Sequence, residues 1–363
     1  MPLLRELLAK AVALGASDIH LKSNKPPIFR IHAELIDGDP QVLEVEDVRL
    51  MVESILPPYL RARFDEEHQA DFSLAEKDIG RFRVNAFMSS GMCTVVFRHV
   101  KSKIPNFQDL HLPAILEKLA LSPRGIMLAA GTTGSGKSTS LAAVINHINH
   151  NERRRIISIE DPVEYVFEDI QSVISQREVG LDTLSFHASL KSVLRQDPDV
   201  IMIGEMRDAE SFMAALSAAE TGHLVLSTLH TGTAAQAIPR ILDFFPASER
   251  DQLRMALADN MRAVFCQRLI PAVKGGVRPA VEIMINTPTV RKLIEKNLLE
   301  KLPAGIETGG EDGMQTFNQA IFKLIKAGEI TEENGMRYAG NAEALRMNLK
   351  GIFLDEANRI IST

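Results

Sequence analysis

The spacing of apolar residues changes character several times along the chain. Leu3, Leu4, Leu7, Leu8, Ala11 and Val12 recur every three or four positions, as in a helix with one buried face. Asp18-Ile19-His20-Leu21 and Ile28 through Ala33 alternate instead, as half-buried strands do. Two further strands are expected over Gly80 to Phe87 and Thr94 to Val100, separated by the turn-like Ser89-Ser90-Gly91. A period of two places Arg81 and Arg83 on one face. This first region therefore mixes helix and sheet. The polar, proline-punctuated Lys101-Ser102-Lys103-Ile104-Pro105-Asn106 reads as a linker, setting a first domain at 1–105 and a second at 106–363.

From Arg124 onward the chain repeats apolar strand, turn and helix. The strand-like runs are Gly125 to Ala130, Arg155 to Ile159, Val200 to Gly204 and Leu224 to Thr228, which together predict an α/β fold with a parallel sheet. Ligands of such sheets sit beyond the carboxyl ends of the strands, so the polar residues after each run should converge. Beyond residue 235 the pattern turns largely helical, through Ala258 to Leu269, Val290 to Lys301 and Thr316 to Lys326. Pro303 to Gly313 reads as a loop, and the helical part of the second domain is placed from about residue 270.

The first run leads directly into Gly131-Thr132-Thr133-Gly134-Ser135-Gly136-Lys137-Ser138, which fits the phosphate-loop pattern GxxxxGK(S/T). Glycines let such a loop wrap an anion with backbone N–H groups pointing inward, Lys137 would reach the β- and γ-phosphates, and the Ser138 hydroxyl would ligate magnesium. Thr132, Thr133, Gly134, Ser135, Gly136, Lys137, Ser138 and Thr139 are the expected nucleotide-binding residues. The chain is thus expected to bind a nucleoside triphosphate.

Hydrolysis also needs a carboxylate to orient a water in line with the γ-phosphate. Glu205 follows the third run and is the leading candidate, also holding magnesium, through water; a glycine stands between it and the strand, where an aspartate directly at the end is commoner. Glu164, after Glu160-Asp161-Pro162, is the second candidate; a capping or ion-pairing role competes for each. His230, at the carboxyl end of the fourth run, is placed to report the γ-phosphate, whereas His223 at the other end also fits a structural histidine. A shared metal is excluded because the two bracket a strand roughly 20 Å long. Arg81, Arg83 and Arg98 are candidate phosphate contacts supplied across a subunit interface, against the plainer reading of surface arginines. Arg153-Arg154-Arg155 reads as a solvated helix end or loop.

Composition narrows the function class. The formal charge of −6, a pI near 6.0 and only 5% aromatic residues give little to track or stack nucleic acid, so no nucleic-acid partner is expected. Cys93 and Cys266 form no CxxC pair, which fits a reducing cytosol. No apolar run approaches the roughly 18 residues needed to span a bilayer, so membrane association is expected to go through a partner.

As a set, the phosphate loop, Ile159-Glu160-Asp161-Pro162-Val163-Glu164-Tyr165, Gly204-Glu205-Met206-Arg207-Asp208 and Gly222-His223 through Leu229-His230-Thr231 resemble the secretion-ATPase superfamily. The look is that of the PilT/PilU retraction ATPases of type IV pili, in which these segments are the Walker A loop, Asp box, Walker B segment and His box. Gly15 to Leu21 and Gly313-Met314-Gln315-Thr316-Phe317 extend the resemblance over nearly the whole chain. It implies a PAS-like N-terminal α+β domain, a RecA-like P-loop NTPase domain and a homo-hexamer with ATP and Mg2+ at its interfaces, Arg81, Arg83 and Arg98 falling where phosphate-contacting arginines stand. It further implies a cytoplasmic motor acting on an inner-membrane platform protein to shorten the pilus. Thr289-Val290-Arg291-Lys292-Leu293-Ile294-Glu295-Lys296 departs from the PilT-type Ala-Ile-Arg-Asn-Leu-Ile-Arg-Glu. Gln176 to Asp182 and the tail from Asn341 resemble the PilU type, which implies a PilT-type partner.

Overall fold

The computed structural model describes residues 2–31, 34–100 and 104–352. His32 and Ala33 of an expected strand, Lys101 to Lys103 of the expected linker and the tail beyond residue 352 lie outside the described residues. By the grouping of its contacts the chain divides into two units. One comprises Met1–Lys103, Pro162–Val166 and Glu178–Leu184; the other comprises Ile104–Asp161, Phe167–Arg177 and Ser185–Thr363.

The first unit is built on a six-stranded sheet of β1 (Asp18–Lys22), β2 (Ile28–Ile31), β3 (Glu34–Asp37), β4 (Gln69–Glu76), β5 (Gly80–Ser89) and β6 (Met92–Val100), in the order β3-β2-β1-β6-β5-β4. All of its pairings are antiparallel. Ile19, Leu21, Phe29, Phe82, Val84 and Phe97 share a buried core with Leu4, Leu7, Leu8 and Ala11 of helix Pro2–Ala13 and with Val48, Met51 and Val52 of helix Val45–Ile55. Alternation along the strands puts polar residues on the other face. The register lines up Arg30, Asp18, Arg98, Arg83 and Ser73 as one row across β2, β1, β6, β5 and β4.

In the second unit a seven-stranded sheet joins β7 (Gly125–Ala130), β8 (Arg155–Glu160), β9 (Val173–Glu178, whose last residue, Glu178, groups with the first unit), β10 (Val200–Ile203), β11 (Leu224–Leu229), β12 (Met261–Pro271) and β13 (Val277–Ile285), ordered β13-β12-β7-β11-β10-β8-β9. The strands from β12 through β7, β11 and β10 to β8 run parallel. Every residue of β7, β10 and β11 is buried, as expected of a sheet covered on both faces. Four strands fall on the four apolar runs of the sequence.

Four expectations are corrected. Ala258 to Leu269 is not a helix: helix Arg250–Asn260 ends there and β12 begins, its residues 263–267 all buried. A strand packed on both faces shows no period, so the run could not be told from a buried helix. With β13 following as its antiparallel neighbour, the helical part begins at Pro288 and not near residue 270. The expected loop Pro303 to Gly313 opens instead with helix Leu302–Thr308, whose first turn contains Pro303, where the missing N–H costs no hydrogen bond. Arg154 is no solvated end: its guanidinium donates to the carbonyls of Ser122 (2.9 Å) and Leu121 (3.3 Å) and pairs with Glu152.

Candidate functional site

At the carboxyl end of β7 the backbone takes conformations that only glycine adopts without strain. Gly131 has φ of +142°, and a Cβ there would lie 2.4 Å from Ser135 Oγ and 2.9 Å from the carbonyl oxygen of Gln267. Gly136, at φ +89°, turns the chain into helix Lys137–Asn151, so the helix amino terminus meets the loop. Lys137 is buried, and its ammonium donates to the carbonyls of Gly131 and Thr132, each at 2.9 Å. Ser135 Oγ and Gln267 Oε1 are buried beside this loop without a hydrogen-bond partner. The loop thus has the glycine cradle, the cation and, in Ser135 Oγ, an unsatisfied hydroxyl able to donate, which together suit a polyphosphate.

Two strands away, Glu205 is anchored on both sides. Gly204 N–H donates to the Ile159 carbonyl at 2.9 Å, and a Cβ at Gly204 would sit 3.3 Å from that oxygen. This close approach to β8 accounts for the glycine between strand and acid. Thr228 Oγ1 donates to the Gly204 carbonyl at 2.7 Å, and Met206 N–H donates to the Thr228 carbonyl. Asp208 then caps helix Ala209–Glu220, accepting from Ser211 N–H at 2.8 Å; that bond, opposed by burial, holds its carboxyl below the ordinary range. So fixed, the Glu205 carboxylate meets His230 Nε2 at 3.2 Å through one oxygen and the Arg207 guanidinium at 2.9 Å through the other. The Arg207 guanidinium is raised by this hydrogen bond and by the Glu205 charge. Because β10 and β11 follow β7 in the sheet order, Glu205, His230 and the phosphate loop share one edge of the sheet.

Glu164 is placed with the first unit, exposed and 3.5 Å from Arg83. Arg83 also donates to the Pro162 carbonyl at 3.1 Å. Arg81 pairs at 2.9 Å with Glu178, a buried carboxylate that also accepts from Ser73 Oγ and, at 3.1 Å, from Val163 N–H. Arg98 donates to buried Asp18 at 2.7 Å. The three candidate arginines are therefore each paired with an acid of the same unit. His223 accounts for itself as a structural residue, its Nδ1 lying 2.8 Å from the Ala218 carbonyl at the end of helix Ala209–Glu220.

The model of the family described as type II/IV secretion system protein matches residues 1–316. The chain belongs to the type II/IV secretion system protein family. It is 42% identical to the type IV pilus ATPase PilU of Pseudomonas aeruginosa over 95% of this chain and 91% of that protein. It is 41% identical to the type IV pilus retraction ATPase PilT of the same organism, over 92% and 97%. A crystal structure of the pilus retraction motor PilT with bound ADP superposes with a TM-score of 0.88 at 40% identity, covering 94% of this chain and 98% of that one. The α/β fold and the ATPase assignment expected from the motifs follow from these likenesses. Near-equal identity to PilU and PilT leaves the branch to the local motifs.

Sequence reading missed the residues that complete this pocket. A cavity of about 400 Å³ beside the phosphate loop is also lined by Thr231 and Gly232, by Gln267, Arg268 and Leu269 of β12, and by Arg337, Tyr338 and Ala339. Gln267 and Arg268 were hidden by the helical reading of their strand. The last three carry no motif, and the family model ends before them.

Proposed function

We propose that this secretion-family ATPase drives type IV pilus retraction as a magnesium-dependent homo-hexamer, at the cytoplasmic face of the inner membrane and against the platform protein of the pilus. Among the described residues no helix is long and apolar enough to cross a membrane, so contact with the membrane is made through that partner. The observation that carries the catalytic part is Glu205 held between His230 and Arg207 on the edge that also bears the phosphate loop. Backbone N–H groups at the start of helix Lys137–Asn151 and the Lys137 ammonium bind the phosphates, while the Ser138 hydroxyl and Glu205, the latter through water, hold the metal. Magnesium, when bound, offsets charge developing on the phosphate oxygens. Glu205 orients the attacking water, and His230 fixes the carboxylate and senses whether the γ-phosphate is present.

In the ring, Arg81, Arg83 and Arg98 exchange their acids for the phosphates of a neighbouring subunit, and Glu164, released from Arg83, is the second water-orienting carboxylate. The PilU-like Gln176 to Asp182 segment supports an accessory role beside a PilT-type ATPase. The test is phosphate release with magnesium and ATP at protein concentrations spanning ring assembly, with and without the PilT-type partner. Turnover that rises with assembly, or on adding the partner, supports the motor; ATP binding with no phosphate release under any of these conditions contradicts it.

A further inference from the structure

The His230 side chain is half-exposed, so its place is set largely by the backbone that carries it. One face of the β12–β13 hairpin holds that backbone just after the histidine. Glu282 stands opposite Cys266 in the register, with Arg268 two residues further along β12, and side chains so spaced share a face. The Cys266 thiol donates to the Thr231 carbonyl at 3.6 Å, the Arg268 guanidinium donates to the Gly232 carbonyl at 3.1 Å, and a Glu282 oxygen accepts from Ala234 N–H at 2.7 Å. Of these side chains Glu282 is the buried charge. Its other oxygen accepts at 3.2 Å from the N–H of Phe317, the first residue of helix Phe317–Lys326, where the aligned peptide dipoles favour a negative charge. Just before that helix, Gln315 exchanges backbone bonds of 2.8 and 3.2 Å with Ile283, the neighbour of Glu282. The helix end is thus fixed to β13, and its N–H fixes the rotamer of the carboxylate that reaches Ala234. Burial raises the Glu282 carboxyl, opposed by both N–H bonds and by the Arg268 charge.

We propose that Glu282 is a positioning residue for ATP hydrolysis: by clamping the loop after His230 to the amino end of helix Phe317–Lys326, it keeps His230 against Glu205. This rests on the reading of Glu205 and His230 as the hydrolytic pair. A loop freed at Ala234 lets His230 drift from the carboxylate, and the water that Glu205 orients loses its alignment. The phosphate loop is carried by other elements, so the hold on the nucleotide is affected less.

The experiment measures steady-state ATP turnover by the assembled full-length wild type, Glu282→Gln, His230→Ala and the double variant. Glutamine keeps the size of the side chain but turns an NH2 group toward one of the two N–H donors, so one bond is lost. Glu282→Gln should lower kcat about tenfold with KM within about twofold of the wild type, and should lower it no further in the His230→Ala background, because a residue acting through His230 then has nothing left to position. Losses that multiply in the double variant, a change in KM alone, or wild-type kcat in Glu282→Gln overturn the inference. Glu282→Asp keeps the charge but is too short to reach both N–H groups, and it decides by the same comparison if Glu282→Gln does not fold. Wild-type kcat in His230→Ala would instead defeat the reading of His230 on which the inference rests.

Discussion

His230 Nε2 lies 3.2 Å from Glu205 Oε1, although the two side chains come from the ends of different strands. The contact exists because β10 and β11 are in register, Ile203 beside Ser227, and the chain after each strand turns along the same edge. A histidine so placed restricts the rotamers of the carboxylate. His230→Ala should therefore lower kcat, up to about 100-fold, with a smaller change in KM, because misplacing a catalytic group costs more than weakening its ligand. Steady-state ATPase kinetics check this; a change confined to KM would move His230 from positioning to binding.

Gly131 admits no side chain. Gly131→Ala would drive a methyl group against Ser135 Oγ and the Gln267 carbonyl at a φ that alanine adopts only with strain, on the order of 1–3 kcal/mol. The loop is expected to shift and nucleotide affinity to fall, while circular dichroism remains that of the folded protein. Wild-type affinity in this variant would show that the loop does not contact the phosphates.

Much of this was legible in the sequence, and the reasons differ by element. The four parallel strands could be read because each is a short, largely apolar run closed by a turn, and the phosphate loop because its chemistry admits few residue types. β12 could not, since burial on both faces removes the alternation that marks a strand. Glu205 was legible as a carboxylate after an apolar run, but its His230 partner needed the register of two strands, while Arg207 pairs with it from only two residues along the chain. The acid that holds Arg81 was hidden by distance: Glu178 lies 97 residues away along the chain.

Glu178 should be structural. Replacing it with alanine leaves the Arg81 charge without its partner and removes the acceptor for Ser73 and Val163. The loss should be about 3 kcal/mol, at the low end for a broken buried pair because Arg81 keeps some contact with water. Denaturant unfolding measures it; unchanged stability would show that the pair contributes nothing net.

Asp18 should make the first unit acid-sensitive. Burial pushes its carboxyl up, but hydrogen bonds from Arg98 and Ser17 and the Arg98 charge outweigh burial and hold it below its ordinary value of 3.8. A carboxylate lowered in the folded state contributes stability in full above its unfolded value and loses it as pH falls through the native one. Stability should thus decline below about pH 4 in the wild type and less steeply in Asp18→Asn, as pH-dependent unfolding would reveal; parallel curves would contradict the assignment.

The most direct test of the account is single-turnover hydrolysis of ATP by assembled wild type and Glu205→Gln, with bound nucleotide measured alongside. The amide keeps the shape of the side chain but gives up its charge and one of the two acceptor oxygens, and it cannot accept a proton from water. ATP should remain bound to Glu205→Gln while hydrolysis slows on the order of 10²- to 10⁴-fold. Hydrolysis at the wild-type rate would contradict the account and shift the water-orienting role to Glu164.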